Sequence, residues 1–123
     1  MLNRLRIHHV SFRHAFDGLL HVLKAHPNFR FHILATICAV LLGVFFRIST
    51  FEWLILVFTI NTVLVAEMIN TSIESIVDLI TLEHRQDAKI AKDVSAGMVL
   101  VSAILAIIVA LLIFLSKIVG SLY

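Results

Sequence analysis

The chain has 123 residues, 60% of them apolar, and ten Lys and Arg against eight Asp and Glu give a formal net charge of +2. A mean hydropathy of +1.02 excludes a soluble two-domain enzyme, and so small a charge gives no argument for a nucleic-acid partner. One cysteine, Cys38, excludes an intrachain disulfide, a Cys-x-x-Cys redox motif and a cysteine-rich zinc site, which leaves an integral membrane protein as the default.

Residues 1–28 come first. Leu5, Phe12, Phe16, Leu19, Leu20 and Leu23 recur at helical spacing, with Arg4, Arg6, Arg13 and Lys24 on other faces. That pattern predicts an amphipathic helix lying on the membrane surface, ended by Pro27. A first span follows over about 29–48. Its uncharged core, Ile33 to Phe46, is only 14 residues, about 21 Å of helix. It crosses if Phe29 and Phe31 extend it and Arg30 and Arg47 snorkel to the interfaces; the competing reading is a short buried helix. A second span covers about 52–80, uncharged from Trp53 to Ala66 and then acquiring Glu67, Glu74 and Asp78. A loop over 81–93 leads to the third span, about 94–118, whose Val94 to Ser116 carry no charge over 23 residues. Basic residues concentrate before the first span and at Arg85, Lys89 and Lys92, so the N-terminus and this loop are expected to face the cytoplasm.

The informative segment is the run from Glu67 to Asp78. At 100° per residue, Glu67, Asn70, Glu74 and Asp78 fall within a stripe about 80° wide, with Thr71 at its border. Ile69, Ile73, Ile76 and Ile80 take the other faces. A carboxylate at a helix centre in the membrane costs about 2.5–3.5 kcal/mol. Three acids and an amide on one face are therefore expected to line a polar cleft or hold a cation. Lys89 and Lys92, directly before the third span, are suited to neutralise phosphate oxygens, although positive-inside lysines in a solvated loop read the same way. No glycine-rich phosphate loop is present, and the histidines form no zinc-protease pair. Met68 and Met98 read as packing, Cys38 as a buried small hydrophobe and Trp53 as an interfacial anchor. On the residues alone, a kinase and a small membrane transporter or proton-conducting subunit fit the stripe equally well. A seam of interhelical hydrogen bonds is the blander reading.

The spacing Glu67-x-x-Asn70-x-x-x-Glu74-x-x-x-Asp78, followed by Ala91-Lys92-Asp93, resembles the prokaryotic diacylglycerol kinase family of small integral membrane lipid kinases. Phe12 to Leu19, Asn28-Phe29-Arg30-Phe31-His32 and Glu52-Trp53 are similar to its Gram-positive-type branch, which includes undecaprenol kinases. The resemblance covers roughly residues 11 to 118. It implies an all-α integral membrane fold with a surface helix and three transmembrane helices per protomer, assembled as a homotrimer in the bacterial inner membrane. It also implies ATP-dependent phosphorylation of a lipid hydroxyl, with undecaprenol favoured over diacylglycerol. Residue by residue, Glu67 would be the general base and Asn70 would orient the centre. Glu74 would ligate the Mg²⁺ that accompanies ATP. Glu83, His84, Lys92 and Asp93 would hold the nucleotide. One position departs: where the family carries a second metal-binding Glu, just before Asn-Phe-x-x-His, this chain has His26. Imidazole suits transition metals better than Mg²⁺, so the alternatives are His26 as a metal ligand, His26 on phosphate as imidazolium, another acid such as Asp17 in its place, and a weakly active or non-catalytic homologue.

Overall fold

A computed structural model describes residues 12–120. These residues form four helices: α1 (Phe12–Ala25), α2 (Pro27–Phe45), α3 (Thr50–Ile80) and α4 (Gln86–Gly120). The expected surface helix over 1–28 falls partly outside the described residues; its described part is α1. Phe12, Phe16, Leu19 and Leu23 are exposed along α1 at helical spacing, while Val22 is buried. His26 breaks the helix with extended backbone (φ −111°, ψ 108°). Pro27 follows as the first residue of α2, where the missing N–H costs no hydrogen bond and the fixed φ favours a helix start.

Helices α2, α3 and α4 are each long and apolar enough to cross a bilayer. The 19 residues of α2 reach about 28 Å, close to the roughly 30 Å hydrocarbon core. Its length fits a span, and with few of its residues buried it is not the short buried helix. The polar side chains along the spans satisfy themselves locally: Thr36, Thr59, Thr62, Ser72 and Ser102 each donate to the carbonyl four residues earlier. Such back-bonding hides a hydroxyl where no water is at hand.

The α2–α3 connection is tight. Arg47 takes a left-handed conformation (φ 48°), and Ile48 N–H bonds back to the Gly43 carbonyl at 3.1 Å. Ser49 then caps α3 reciprocally with Glu52: Glu52 N–H donates to Ser49 Oγ and Ser49 N–H to Glu52 Oε2. Glu52 also pairs with Lys117 of α4 at 3.1 Å, which ties the far ends of α3 and α4. Nearby, Ile48, Leu56, Ile113 and Phe114 form a buried cluster against which Trp53, Phe46 and Ala39 pack. Trp53 is thus half-buried against its own chain: its ring lies over Gly43, 2.8 Å from where a Cβ there would stand.

Three further expectations need correction. Cys38 is exposed on α2, and Met98 is exposed on α4. Both belong to apolar surface that meets lipid or another chain, which hydropathy does not distinguish from an interior. The segment expected as a loop over 81–93 is mostly helix. The α3–α4 connection is five residues, and α4 begins at Gln86. Gln86 to Asp93 is polar yet contains neither Gly nor Pro, and Ala88, Lys89, Ala91 and Lys92 favour a helix. Lys89, Lys92 and Asp93 therefore stand on the first two turns of α4, at fixed register to α3.

Gly43→Val places a branched side chain into the Trp53 ring. The expected loss is about 1–3 kcal/mol, read as a lowered thermal midpoint in detergent. Gly97→Ala, where an added Cβ meets nothing within 4 Å, is expected to leave the midpoint unchanged or raised.

Candidate active site

Helices α3 and α4 pack against each other along most of their length, antiparallel, and their register sets the site. Asn70 on α3 stands opposite Ser95 on α4: Ser95 Oγ donates to Asn70 Oδ1 at 2.7 Å. Ser95 is the second residue of the uncharged run that starts at Val94. Glu67, one turn further along α3, therefore lies about 5 Å inside the apolar zone. Glu67, Asn70 and Thr71 are all buried, with Glu67 only 2% exposed.

The stripe continues towards the α3–α4 connection. Asn70 Nδ2 donates to Glu74 Oε1 at 3.1 Å. Glu74 is half-buried and Asp78 exposed. Asp78 accepts an ion pair from Lys92 at 2.5 Å, and Lys89 pairs with Asp93 one turn apart on α4. The order of burial thus follows the order along the helix.

Two polar groups in this file lack partners. Thr71 Oγ1 is buried and unbonded, and among the described residues nothing donates to the Glu67 carboxylate. They sit one turn apart on the same face. A buried polar group left without a partner costs about 1–3 kcal/mol, and this corner holds hydrogen-bonding capacity that the described residues do not use.

The acidic stripe opens onto a cleft of about 680 Å³, walled by Asp78, Glu83, His84, Arg85, Lys89, Lys92 and Asp93 among others. Glu83, His84, Lys92 and Asp93 are thus brought together. Glu67, Asn70 and Glu74 lie above the cleft on the same face of α3. Arg85 and Gln86 also line it and were not singled out from the sequence; Arg85 figured there only as a loop charge. Ser95 carried no signal at all: a serine in an apolar helix acquires meaning only through its contact with Asn70, 25 residues away.

His26 stands apart. It caps α2, its ring meets His21 edge-on at 6.4 Å, and it is not among the cleft residues. Among the described residues no group of three or more His, Cys, Asp or Glu side chains is placed to hold a metal. A Mg²⁺ ion does not need such a cage. It is typically held by one or two carboxylates together with substrate phosphates and retained waters. Glu74 fits that role: Oε1 accepts only from an amide, and Oε2 has no bond among the described residues. The His26 imidazole does not suit Mg²⁺.

These features define a multi-pass helical membrane protein whose buried carboxylate leads to a charged cleft at one end of two spans. The comparisons with known proteins sharpen that class. Residues 13–114 match the family model described as prokaryotic diacylglycerol kinase, and the chain belongs to that family. It is 40% identical over 115 residues to the undecaprenol kinase of Bacillus subtilis, covering 94% of each chain. It is 36% identical over 101 residues to the diacylglycerol kinase of Synechocystis, covering 81% of this chain and 58% of that one. Membership makes the protein a lipid-alcohol kinase.

The Asp78–Lys92 pair is half-exposed, with side chains 54% and 37% accessible. Exposed pairs of this kind contribute about 0.2–1 kcal/mol. Asp78→Asn is accordingly expected to lower stability by less than about 1 kcal/mol, measured by thermal unfolding of the detergent-solubilised protein.

Proposed function

We propose that the protein transfers the γ-phosphoryl group of ATP to the hydroxyl of a membrane lipid alcohol, undecaprenol in preference to diacylglycerol. The observation that carries this reading is the continuous file from a buried, unpartnered carboxylate to a cleft lined by Arg85, Lys89 and Lys92. A lipid hydroxyl arrives from the bilayer and a nucleotide from water, and the file offers each an entrance. The preference for undecaprenol rests on the closer similarity to the Bacillus subtilis undecaprenol kinase over nearly the whole of both chains.

Phosphoryl transfer depends mainly on alignment and charge stabilisation. Glu67 accepts the proton of the lipid hydroxyl as its oxygen bonds to the γ-phosphorus. The bond from that phosphorus to the β-bridging oxygen breaks, and ADP leaves. Thr71 Oγ1, the unpartnered hydroxyl one turn away, hydrogen-bonds the incoming alcohol. Lys92 leaves Asp78 to meet phosphate oxygens, and Glu83, His84 and Asp93 hold the rest of the nucleotide. Asn70 orients Glu74. A Mg²⁺ ion held by Glu74 would supply charge neutralisation on the phosphates.

The same reading extends to the assembly. The α2 and α4 spans leave most of their apolar surface open to lipid or to neighbouring copies, and the family resemblance implies that the copies form a homotrimer in the bacterial inner membrane. In it α1 lies on the cytoplasmic surface, with Phe12, Phe16, Leu19 and Leu23 turned to the lipid.

Purified protein is to be offered undecaprenol and diacylglycerol with γ-³²P-ATP and Mg²⁺. Label in the extracted lipid is expected, more with undecaprenol. Glu67→Gln is expected to cut the rate by about 10²–10⁴ with an unchanged thermal midpoint. No labelled lipid from either alcohol overturns the reading and favours a transporter. Substantial transfer by Glu67→Gln removes the base assignment alone. Lys92→Ala is expected to raise KM for ATP and leave KM for lipid unchanged.

A further inference from the structure

We infer that Ser95 is a positioning residue whose hydroxyl anchors the Asn70 amide in place and, through it, the Glu74 carboxylate. The inference rests on the reading of Glu74 given above and adds a residue that the stripe itself does not contain.

Ser95 is fully enclosed, at 0% exposure. Its Oγ lies 2.7 Å from Asn70 Oδ1, and because a carbonyl oxygen cannot donate, the hydroxyl does. The acceptor-only Glu74 carboxylate settles which end of the amide faces which way, and the Ser95 hydroxyl holds the other end. With Oδ1 held by α4, Nδ2 is turned to Glu74 Oε1 at 3.1 Å. A flipped amide would set its oxygen against the carboxylate and lose the bond to Glu74, with the Ser95 hydroxyl then accepting from Nδ2 instead of donating. Without the hydroxyl, no hydrogen bond from α4 anchors the amide. Among the neighbouring hydroxyls of α3, Thr71 Oγ1 makes no bond to the amide and the Ser75 hydroxyl donates to the Thr71 carbonyl.

Ser95 Oγ also stands 2.9 Å from the Lys92 carbonyl oxygen. One hydroxyl therefore touches the helix that carries the acids and the turn that carries the phosphate-facing lysine. A carboxylate that binds a cation is held in aim by the hydrogen bonds it accepts, and partners of this kind commonly affect affinity by about 10–100-fold. Ser95 acts one step further out, so an effect at the lower end of that range is expected.

The test uses the full chain in detergent micelles. Binding of Mn²⁺ with the non-hydrolysable nucleotide AMP-PNP is followed by electron paramagnetic resonance for the parent, Ser95→Ala, Ser95→Thr and Ser102→Ala. Ser102 also sits on α4 and bonds only its own helix, so its loss reports on removing a hydroxyl as such. Ser95→Ala is expected to weaken Mn²⁺ binding about tenfold. Ser102→Ala is expected to leave it unchanged, and Ser95→Thr, which keeps the hydroxyl, to restore it. In the ³²P assay, Ser95→Ala is expected to raise the half-saturating Mg²⁺–ATP concentration with KM for lipid unchanged. Parent-like Mn²⁺ binding in Ser95→Ala, equal loss in Ser95→Ala and Ser102→Ala, or no Mn²⁺ binding by the parent overturns the inference. A parent that labels lipid while Ser95→Ala binds Mn²⁺ normally sinks the positioning role and keeps the kinase. A parent that labels no lipid while Ser95→Ala binds Mn²⁺ tenfold more weakly does the reverse.

Discussion

A carboxylate carried into the apolar part of a membrane protein must be enclosed by its own structure, because lipid offers it no hydrogen bonds. Glu67 meets that requirement by its place on α3, where it is only 2% exposed. The polar file from Asn70 to Lys92 follows from the α3–α4 contact. Deep in it, Asn70 and Ser95 meet. Nearer its end, Glu74, Asp78 and Lys92 come progressively into the open. The gradient from a 2% exposed acid to an exposed ion pair is a gradient of dielectric. A greasy alcohol and a highly charged nucleotide need opposite ends of it.

The opposite end of the helix pair is built for a different purpose. There Glu52 caps α3 and grips Lys117, Gly43 admits the Trp53 ring, and Ile48, Leu56, Ile113 and Phe114 close a small core. These contacts are short-range and well filled. They tie one end of α3 to α4, at the opposite end from the charged cleft. The family match over residues 13–114 includes both ends, the anchor as well as the cleft.

Much of this was legible in the sequence, for physical reasons that differ by residue. The spans show because hydropathy sums over a local window. The stripe shows because Glu67, Asn70, Glu74 and Asp78 share one helix and one periodicity. The start of α4 did not show, because a run such as Gln86 to Asp93 looks like a loop to a hydropathy argument even when its residues favour a helix. The exposure of Cys38 and Met98 is hidden from the sequence for a related reason. An apolar residue facing lipid and one facing a neighbouring helix have the same composition, and only packing tells them apart. Ser95 lay beyond reach altogether, since its meaning is a contact between segments 25 residues apart. The roles of Glu67, Glu74, Glu83, His84, Lys92 and Asp93 came from the family resemblance. What the structure adds is that four of them share a cleft and that His26 is not among its lining residues.

The exposed thiol of α2 has a practical corollary. Cys38 is the chain's one cysteine, and it sits on a span surface that its own protomer leaves uncovered. A nitroxide or fluorophore attached there reports from a single known position without any engineered background. Each copy in an assembly would carry one identical probe. The number of probe-to-probe distances, and whether they are equal, would then read out the symmetry of that assembly directly in a lipid bilayer.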